Sequence, residues 1–594
     1  MGNKSGLQFR VYRFRFLIHG YIFLFCLTGN WKLETGNCYG QYTKYWIQFT
    51  DRNNSPYALW NPSQYLSARA IQRRLNQNIQ IAENDLPVNP AYINSVKNVP
   101  NVTLLNRSKW FNAITIATTD TNAINTINSF AFVKKVEPVK RLCRNSEQEE
   151  LSSRYQESRA KYPFINNISQ PASENKKFPN VSPYSYMYGL SFNQVNMLGG
   201  VCMHNLGYDG KGVVIAILDV GFDHVDSAAA FDSIRTNNQI LGRRNFVDIN
   251  NNVTVPGEVH GAWCLSLMAG NIPGSLIGTA PKASYWLLRT EDGPTENVIE
   301  EDNWVSGAEF ADSVGADILS TSLGYTEFDS VHVDSVTTIA NPASHTYADM
   351  DGNTARISIG TDIAASKGIF PVSSAGNMGW SPWHFIGAPA DADSVLAVGA
   401  VDSLRNYVGF SSKGPSVDGR VKPNVAAQGD HPYTTDLAGG TYNLYSGTSF
   451  ACPLTAGMVA CLWQAHPTLT NMQLFNAIQQ TASQASNPDT LTGYGIPDFC
   501  AAHLSLGINE NAVLANEVIR IYPNPFQNTV SFSVQSQAFS LNEIEIRNLL
   551  GENVFREDIT LKHGTLNLSF LPSGVYVLNA KGNGRIYSVK LVKY

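Results

Sequence analysis

The sequence predicts an α/β protein: a doubly wound parallel sheet, preceded by a small α/β unit and followed by an antiparallel β-sandwich. Three observations carry this. Between about Tyr184 and Leu506, continuous apolar runs alternate with helix-like segments, the pattern of strands buried on both faces and joined by crossover helices. From about Val518 the apolar runs shorten and turn residues divide them, as in a small sandwich. The chain has 594 residues, room for roughly four modules of about 150 residues each.

The N-terminus reads as a targeting segment. Lys4, Arg10, Arg13 and Arg15 precede an apolar run from Phe16 to Leu27, broken by His19 and Gly20, and no acidic residue occurs before Glu34. A basic head followed by a short apolar run is a secretory signal pattern. Residues 1–40 are therefore expected to be an export signal, cut between Thr28 and Gln41. The run falls short of the roughly 18 apolar residues of a spanning helix. Composition narrows the function further. Apolar residues make up 43%, charged residues 15%, and the formal net charge is −5, which argues against nucleic acid as a partner, since that binding rests on basic surface. Export permits disulfides. The six cysteines beyond the signal (Cys143, Cys202, Cys264, Cys452, Cys461 and Cys500) are too sparse for a disulfide scaffold and show no zinc-ligand spacing. One or two disulfides are open to them, with a pairing that the sequence does not give.

Residues 41–144 form the small α/β unit. Strands are expected at Val102–Leu105, Thr115–Ala117 and Phe132–Val136, with a helix at Ala123–Ile127. Residues 145–183, within the charged stretch Arg144–Pro183 that contains Glu147, Glu149, Glu150, Arg154, Lys161, Lys176 and Lys177, read as an exposed linker with a processing site. In the central unit, 184–506, strands are expected at Val213–Asp219, Ser284–Leu288, Asp317–Ser320, Ile369–Ser373 and Val395–Ala400. Helices are expected at Gly261–Ala269, Asn303–Val314 and Arg356–Lys367. A linker at 507–517 leads to the sandwich, 518–594. Its strands are expected at Val530–Val534, Ile544–Arg547, Thr565–Leu571, Val575–Leu578 and Tyr587–Val592.

Three chemistry-bearing blocks lie in the central unit, where sites sit at the carboxyl ends of parallel strands. Asp219 ends a strand in Leu-Asp-Val-Gly, and a buried carboxylate there needs a partner. His260 opens His-Gly-Ala-Trp-Cys at the head of an apolar helix. Ser449 lies in Gly-Thr-Ser-Phe-Ala-Cys-Pro at the start of a long helix-like run that ends near His466. A serine hydroxyl is a weak nucleophile that needs a neighbouring base. An imidazole supplies the base, and a carboxylate fixes its tautomer and stabilises its charged form. The Ser449 N–H, at a helix start, and the Asn377 side-chain amide, in Ser-Ser-Ala-Gly-Asn, can stabilise an oxyanion.

These blocks resemble the subtilisin-like serine peptidases (the subtilase family). The chain order Asp219, His260, Asn377, Ser449 is that family's order, and the resemblance covers roughly 300 residues. It implies a subtilisin-like fold, an Asp219–His260–Ser449 triad, and Asn377 as oxyanion donor. Ser322, Leu323 and Gly324 would line the substrate cleft and pair with an extended substrate. Ser373, Ser374, Ala375 and Gly376 would form the facing wall of the main specificity pocket. No cofactor is needed for the chemistry. Structural calcium is compatible with the family, at positions the sequence does not assign, and no metal ligands are named.

Departures are local. Cys264 stands one helical turn after His260 and reads as a buried, inert thiol, with thiol-linked regulation as the alternative. Phe450 replaces the usual Met, and Cys452 follows three after the nucleophile. His204, His224 and His431 read as structural. Asp349, Asp351 and Asn353 lack the distal Glu of an EF-hand loop and read as a polar loop.

The flanking units also carry resemblances. Ile114-Thr115-Ile116 and Phe132 to Val136 are similar to the family's inhibitor-like propeptides. Ile521 to Phe526 (Ile-Tyr-Pro-Asn-Pro-Phe), Leu550-Gly551, Leu571 to Tyr576 and the terminal Val589-Lys590-Leu591-Val592 resemble the type IX secretion sorting domain of the Bacteroidetes. Together they imply a zymogen, held silent by its own propeptide, that acts on proteins or peptides. It would engage the outer-membrane type IX machinery and end secreted or on the outer cell surface. A binding module on a dead protease fold is disfavoured, because the triad and Asn377 are intact. A dedicated processing enzyme remains open beside a broad degrader, since pocket shape sets selectivity.

Overall fold

The computed structural model describes residues 41–142, 185–506 and 518–594, apart from 249–251, 330, 333–337, 438, 440–441, 537–538, 549–550 and 584. The expected export segment and the Arg144–Pro183 linker lie outside the described residues.

The N-terminal unit is a four-stranded sheet of β1 (Gln41–Phe49), β2 (Thr103–Ser108), β3 (Ala113–Ala117) and β4 (Val133–Leu142), in the order β2-β3-β1-β4. Both neighbours of β1 run antiparallel to it. Helices α1 (Ala68–Asn76), α2 (Pro90–Lys97) and α3 (Thr121–Asn128) complete the unit. Ser67, Asn89 and Asp120 cap them, each side chain accepting a free N–H of the first turn. Sequence reading passes over α1, because its buried face is built from Ala70, Arg73 and Arg74 rather than from apolar residues.

The central unit holds a seven-stranded sheet. Its strands are β5 (Val214–Asp219), β6 (Ile240–Asn245), β7 (Ser284–Arg289), β8 (Ile318–Thr321), β9 (Phe370–Ser374), β10 (Leu396–Val401) and β11 (Val425–Gln428). The order is β11-β10-β9-β8-β5-β7-β6, and every neighbouring pair is parallel. Helices α4 (His260–Ala269) and α7 (Thr448–Ala465) cover one face, α5 (Ile299–Val314) and α6 (Arg356–Ser366) the other, and α8 (Asn471–Gln480) follows α7. The period-2 alternation of β5 feeds both cores. Ile215 and Ile217 pack with α4 and α7, whereas Val214, Ala216 and Leu218 pack with Trp304 and Val305 of α5. Burying each such side chain contributes about 1.5–3 kcal/mol, so truncating Ile217 to alanine costs about 2–5 kcal/mol. The expected strands and helices are present, with ends moved by a few residues. β6 and β11 are additions that the sequence hides, one being rich in arginine and the other short.

A disulfide joins Cys202 to Cys500 with Cα atoms 6.0 Å apart, tying the start of the unit to its end. Cys264, Cys452 and Cys461 are free and buried.

The C-terminal unit has two antiparallel sheets, β12 (Ile519–Tyr522), β13 (Thr529–Val534) and β16 (His563–Asn567) in one, and β15 (Asn553–Asp558), β14 (Glu543–Arg547), β17 (Gly574–Gly582) and β18 (Arg585–Lys593) in the other. They enclose one core that includes Phe532, Ile544, Ile546 and Leu578. The strand expected over Thr565–Leu571 is a correction: it stops at Asn567. Leu568 and Leu571 are buried from a turn, and that burial mimics strand character in the sequence.

The N-terminal unit rests on α5 through polar groups. Glu309 accepts hydrogen bonds from the Ser108 hydroxyl (2.6 Å) and from the N–H groups of Lys109 (2.6 Å) and Trp110 (3.0 Å). One turn on, buried Asp312 meets Lys109 at 2.7 Å, Arg74 at 2.9 Å, and Arg73. Asp85 shares Arg74 (2.7 Å) and Lys367 (3.1 Å).

Candidate active site

β5 ends on Asp219, which is 0% exposed. Its Oδ1 accepts the Val220 N–H at 2.8 Å and lies 2.8 Å from His260 Nδ1. His260 is the first residue of α4, its side chain 27% exposed. This approach requires Gly261, because a Cβ there would stand 2.5 Å from the Gly221 carbonyl oxygen and 3.0 Å from Asp219 Cβ. Burial draws the His260 pKa down, but the Asp219 carboxylate outweighs it, so the imidazole titrates well above 6.5.

Ser449 is the second residue of α7 and 9% exposed. Its Oγ donates to the Ser322 carbonyl at 3.1 Å, while its own carbonyl accepts the Ser322 hydroxyl at 2.9 Å. No His260–Ser449 hydrogen bond forms among the described residues. Such bonds commonly tighten only with substrate in place. The His260 and Phe450 rings have centroids 5.9 Å apart.

Asn377 follows β9 and is exposed. Its Oδ1 accepts both the Thr448 N–H (2.8 Å) and the Thr448 hydroxyl (3.0 Å), and that hydroxyl in turn accepts the Gly376 N–H (3.2 Å). Asn377 Nδ2 has no hydrogen-bond partner among the described residues. It faces Gly447, where a Cβ would come within 3.4 Å of it. Thr448 is the residue sequence reasoning missed; its signal was its place in the Gly-Thr-Ser block.

Ser322 and Leu323 are buried and Gly324 is exposed, continuing from β8. Ser373 and Ser374 close β9, Ala375 donates its N–H to Val398, and Gly376 turns with φ of 103°. The two segments thus stand at the carboxyl ends of adjacent strands, in contact with Ser449 and Thr448.

Cys264 Sγ donates to the Ser449 carbonyl at 3.4 Å and lies 3.9 Å from His260 Nδ1. Burial pushes its pKa up, so it is a neutral thiol, poor as a nucleophile. Cys452 donates to the carbonyls of Thr321 and Val372, and burial pushes it up to about 12. His204 is a core residue held by Tyr188 and the Thr279 carbonyl. His431 and His224 stand beside Asp430 and Asp223. Asp349 and Asp351 accept N–H groups of their own turns. Among the described residues two groups have metal-ligand spacing, Asp219-His260-Cys264 and Glu291-Glu296-Glu300. The first is the carboxylate–imidazole pair itself.

A buried carboxylate bonded to an imidazole at one strand end, with a serine at the head of a facing helix, defines a serine hydrolase of parallel-sheet type. Residues 210–495 match the model of the subtilase family. Residues 44–154 match a peptidase S8 propeptide domain of Bacteroidota, and residues 520–594 a secretion system C-terminal sorting domain. The chain is 30% identical over 306 residues to subtilisin E of Bacillus subtilis (strain 168), spanning 51% of this chain and 68% of that protein. It is 32% identical over 283 residues to subtilisin DY of Bacillus licheniformis, spanning 47% and 86%. A crystal structure of MycP1 from Mycobacterium smegmatis aligns at a TM-score of 0.40 and 20% identity, over 55% of this chain and 86% of that one. The chain belongs to the subtilase family. It is a subtilisin-like serine endopeptidase with a propeptide and a type IX sorting tail, secreted or held at the outer cell surface of a Bacteroidetes-type bacterium.

Proposed function

We propose that Asp219, His260 and Ser449 form the catalytic triad and that Asn377 is the oxyanion donor of a secreted zymogen. The observation that carries this is the 2.8 Å contact between Asp219 Oδ1 and His260 Nδ1. It fixes the Nδ1–H tautomer and leaves Nε2 as the base. Ser449 Oγ attacks the scissile carbonyl carbon as its proton passes to His260 Nε2. The oxyanion is met by Asn377 Nδ2 and the Ser449 N–H. Collapse breaks the C–N bond, with His260 returning the proton to the leaving amine. Water then enters by the same base, releases the acid and restores Ser449. No metal or redox group takes part. Ser322–Gly324 and Ser373–Gly376 form the two walls that hold an extended peptide.

The reading assigns residues 1–40 to export, 41–144 to the propeptide, 145–183 to a linker cut on maturation, 184–506 to the peptidase, 507–517 to a second linker and 518–594 to the sorting tail. The propeptide inhibits through its seat on α5, and the type IX machinery is the partner of the tail. The test is propeptide removal and casein cleavage by wild type against Ser449→Ala, with the N-termini of the products read by mass spectrometry.

A further inference from the structure

A second acidic group lies beyond Asp219 and His260, whose charges reach its first member, Glu291. Glu291 follows β7, Glu296 lies in the turn beyond it, and Glu300 is in the first turn of α5. One carboxylate oxygen from each lies within 4.8 Å of the other two. Oxygens bound at about 2.4 Å to one central cation stand this far apart or closer. Glu300 is wholly buried, and Glu291 and Glu296 are half-buried. The nearby cations are committed elsewhere: Arg289 to Asp248 (2.8 Å), Arg356 to Asp302 (2.8 Å) and His345 to Glu301 (2.7 Å).

Two further observations point to a ligand. Glu296 Oε1 is buried and has no hydrogen-bond partner. Tyr325, reached from the cleft segment Ser322–Gly324, is 1% exposed, and its hydroxyl also has no partner. The charges acting most strongly on that hydroxyl are Glu291, then Glu300 and Glu296. Buried polar atoms in native proteins are almost always satisfied. Here two such atoms lie among the charges of one carboxylate group, and the imidazole whose charge acts on Glu291, His260, is itself bonded to Asp219. Glu300 is also held in place, accepting the N–H groups of Asn297 (2.8 Å) and Asp292 (3.4 Å).

We propose that Glu291, Glu296 and Glu300 bind one divalent cation of the calcium class, with the Tyr325 hydroxyl at its edge. An all-oxygen donor set without imidazole or thiolate selects a hard cation over zinc. Two carboxylates on an irregular turn and one on a helix suit calcium, which tolerates varied geometry and adds water ligands, better than magnesium, which demands an octahedron. The ion ties the β7–α5 turn to the Leu323–Tyr325 wall of the cleft. The proposal does not depend on the peptidase assignment.

The test uses the full chain carrying Ser449→Ala, stripped with chelator and titrated with calcium chloride by calorimetry, with melting curves in chelator and in calcium. Glu296→Gln and Glu300→Gln are each expected to remove one bound calcium per chain and to shrink the calcium-induced rise in Tm. In chelator, Glu296→Gln is expected to melt at or above the parent, because one of three repelling charges is gone; this also shows that the variant folds. Equal calcium stoichiometry in parent and variants overturns the proposal. So does a parent that binds no calcium.

Discussion

Thr448 holds Asn377 by two hydrogen bonds to the same oxygen, from its N–H at 2.8 Å and its hydroxyl at 3.0 Å. An amide anchored through Oδ1 can present only Nδ2 to the cleft. In the proposed reading the oxyanion donor is therefore oriented before any substrate arrives, which is the condition for electrostatic stabilisation without reorganisation. Asn377→Ala is expected to lower kcat by about 10²–10³-fold with little change in KM. Steady-state kinetics on a fluorogenic peptide measures it. An equal loss in KM alone would show that Asn377 binds substrate rather than the transition state.

Thr448 is then a positioning residue. Thr448→Val keeps its N–H bond to Asn377 and deletes the hydroxyl bond, a change worth about 0.5–1.5 kcal/mol. The expectation is a loss of about 2–10-fold in kcat, restored by Thr448→Ser. A Thr448→Ser variant as slow as Thr448→Val would point to packing instead.

The pH profile follows from His260. Burial lowers its pKa, but the Asp219 carboxylate raises it by more, to a net value well above 6.5. Only the neutral imidazole takes the Ser449 proton, so kcat/KM should rise with pH through a midpoint above 6.5. The protonated form is correspondingly a stabilising contribution, present in full below 6.5 and lost as pH climbs through the folded value. Asp219→Asn is expected to drop kcat by about 10⁴-fold and to move the midpoint down. An unmoved midpoint would mean that another group titrates.

The hold of the N-terminal unit depends on Asp312. Lys109, Arg73 and Arg74 hold its carboxylate well below its usual 3.8 despite burial. For an acid shifted down, the contribution is present above 3.8 and is lost as pH falls through the folded value. Inhibition by the isolated unit, residues 41–144, should therefore persist from pH 5 to 8 and weaken in stronger acid. Asp312→Asn leaves three buried cations short of a counter-charge, at a cost of about 3–5 kcal/mol. Inhibition constants should rise on the order of 10²–10³-fold. A constant within a few-fold of wild type would place the energy of this interface in other contacts.

What the sequence disclosed follows from which features repeat locally. β5 is legible because six consecutive buried residues leave no other reading. The Asp219–His260 contact is legible because the His260 block is fixed by close packing, as Gly261 against Gly221 and Asp219 shows. The pairing of Cys202 with Cys500 spans 298 residues and has no local signature. Helix α1 hides its role in buried arginines whose shared partner, Asp312, lies more than 200 residues away. The Glu291-Glu296-Glu300 group is invisible for the same reason: its meaning depends on Tyr325, which only the fold brings near.

The central claim is that Ser449 is the nucleophile of a self-maturing zymogen. The most direct measurement compares wild type with Ser449→Ala for casein cleavage and for the new N-terminus after maturation. Wild type is expected to cut casein and to trim itself between about Arg144 and Pro183, while the variant stays full-length with activity about 10⁵–10⁶-fold lower. Equal cleavage by both proteins would contradict the assignment of Ser449.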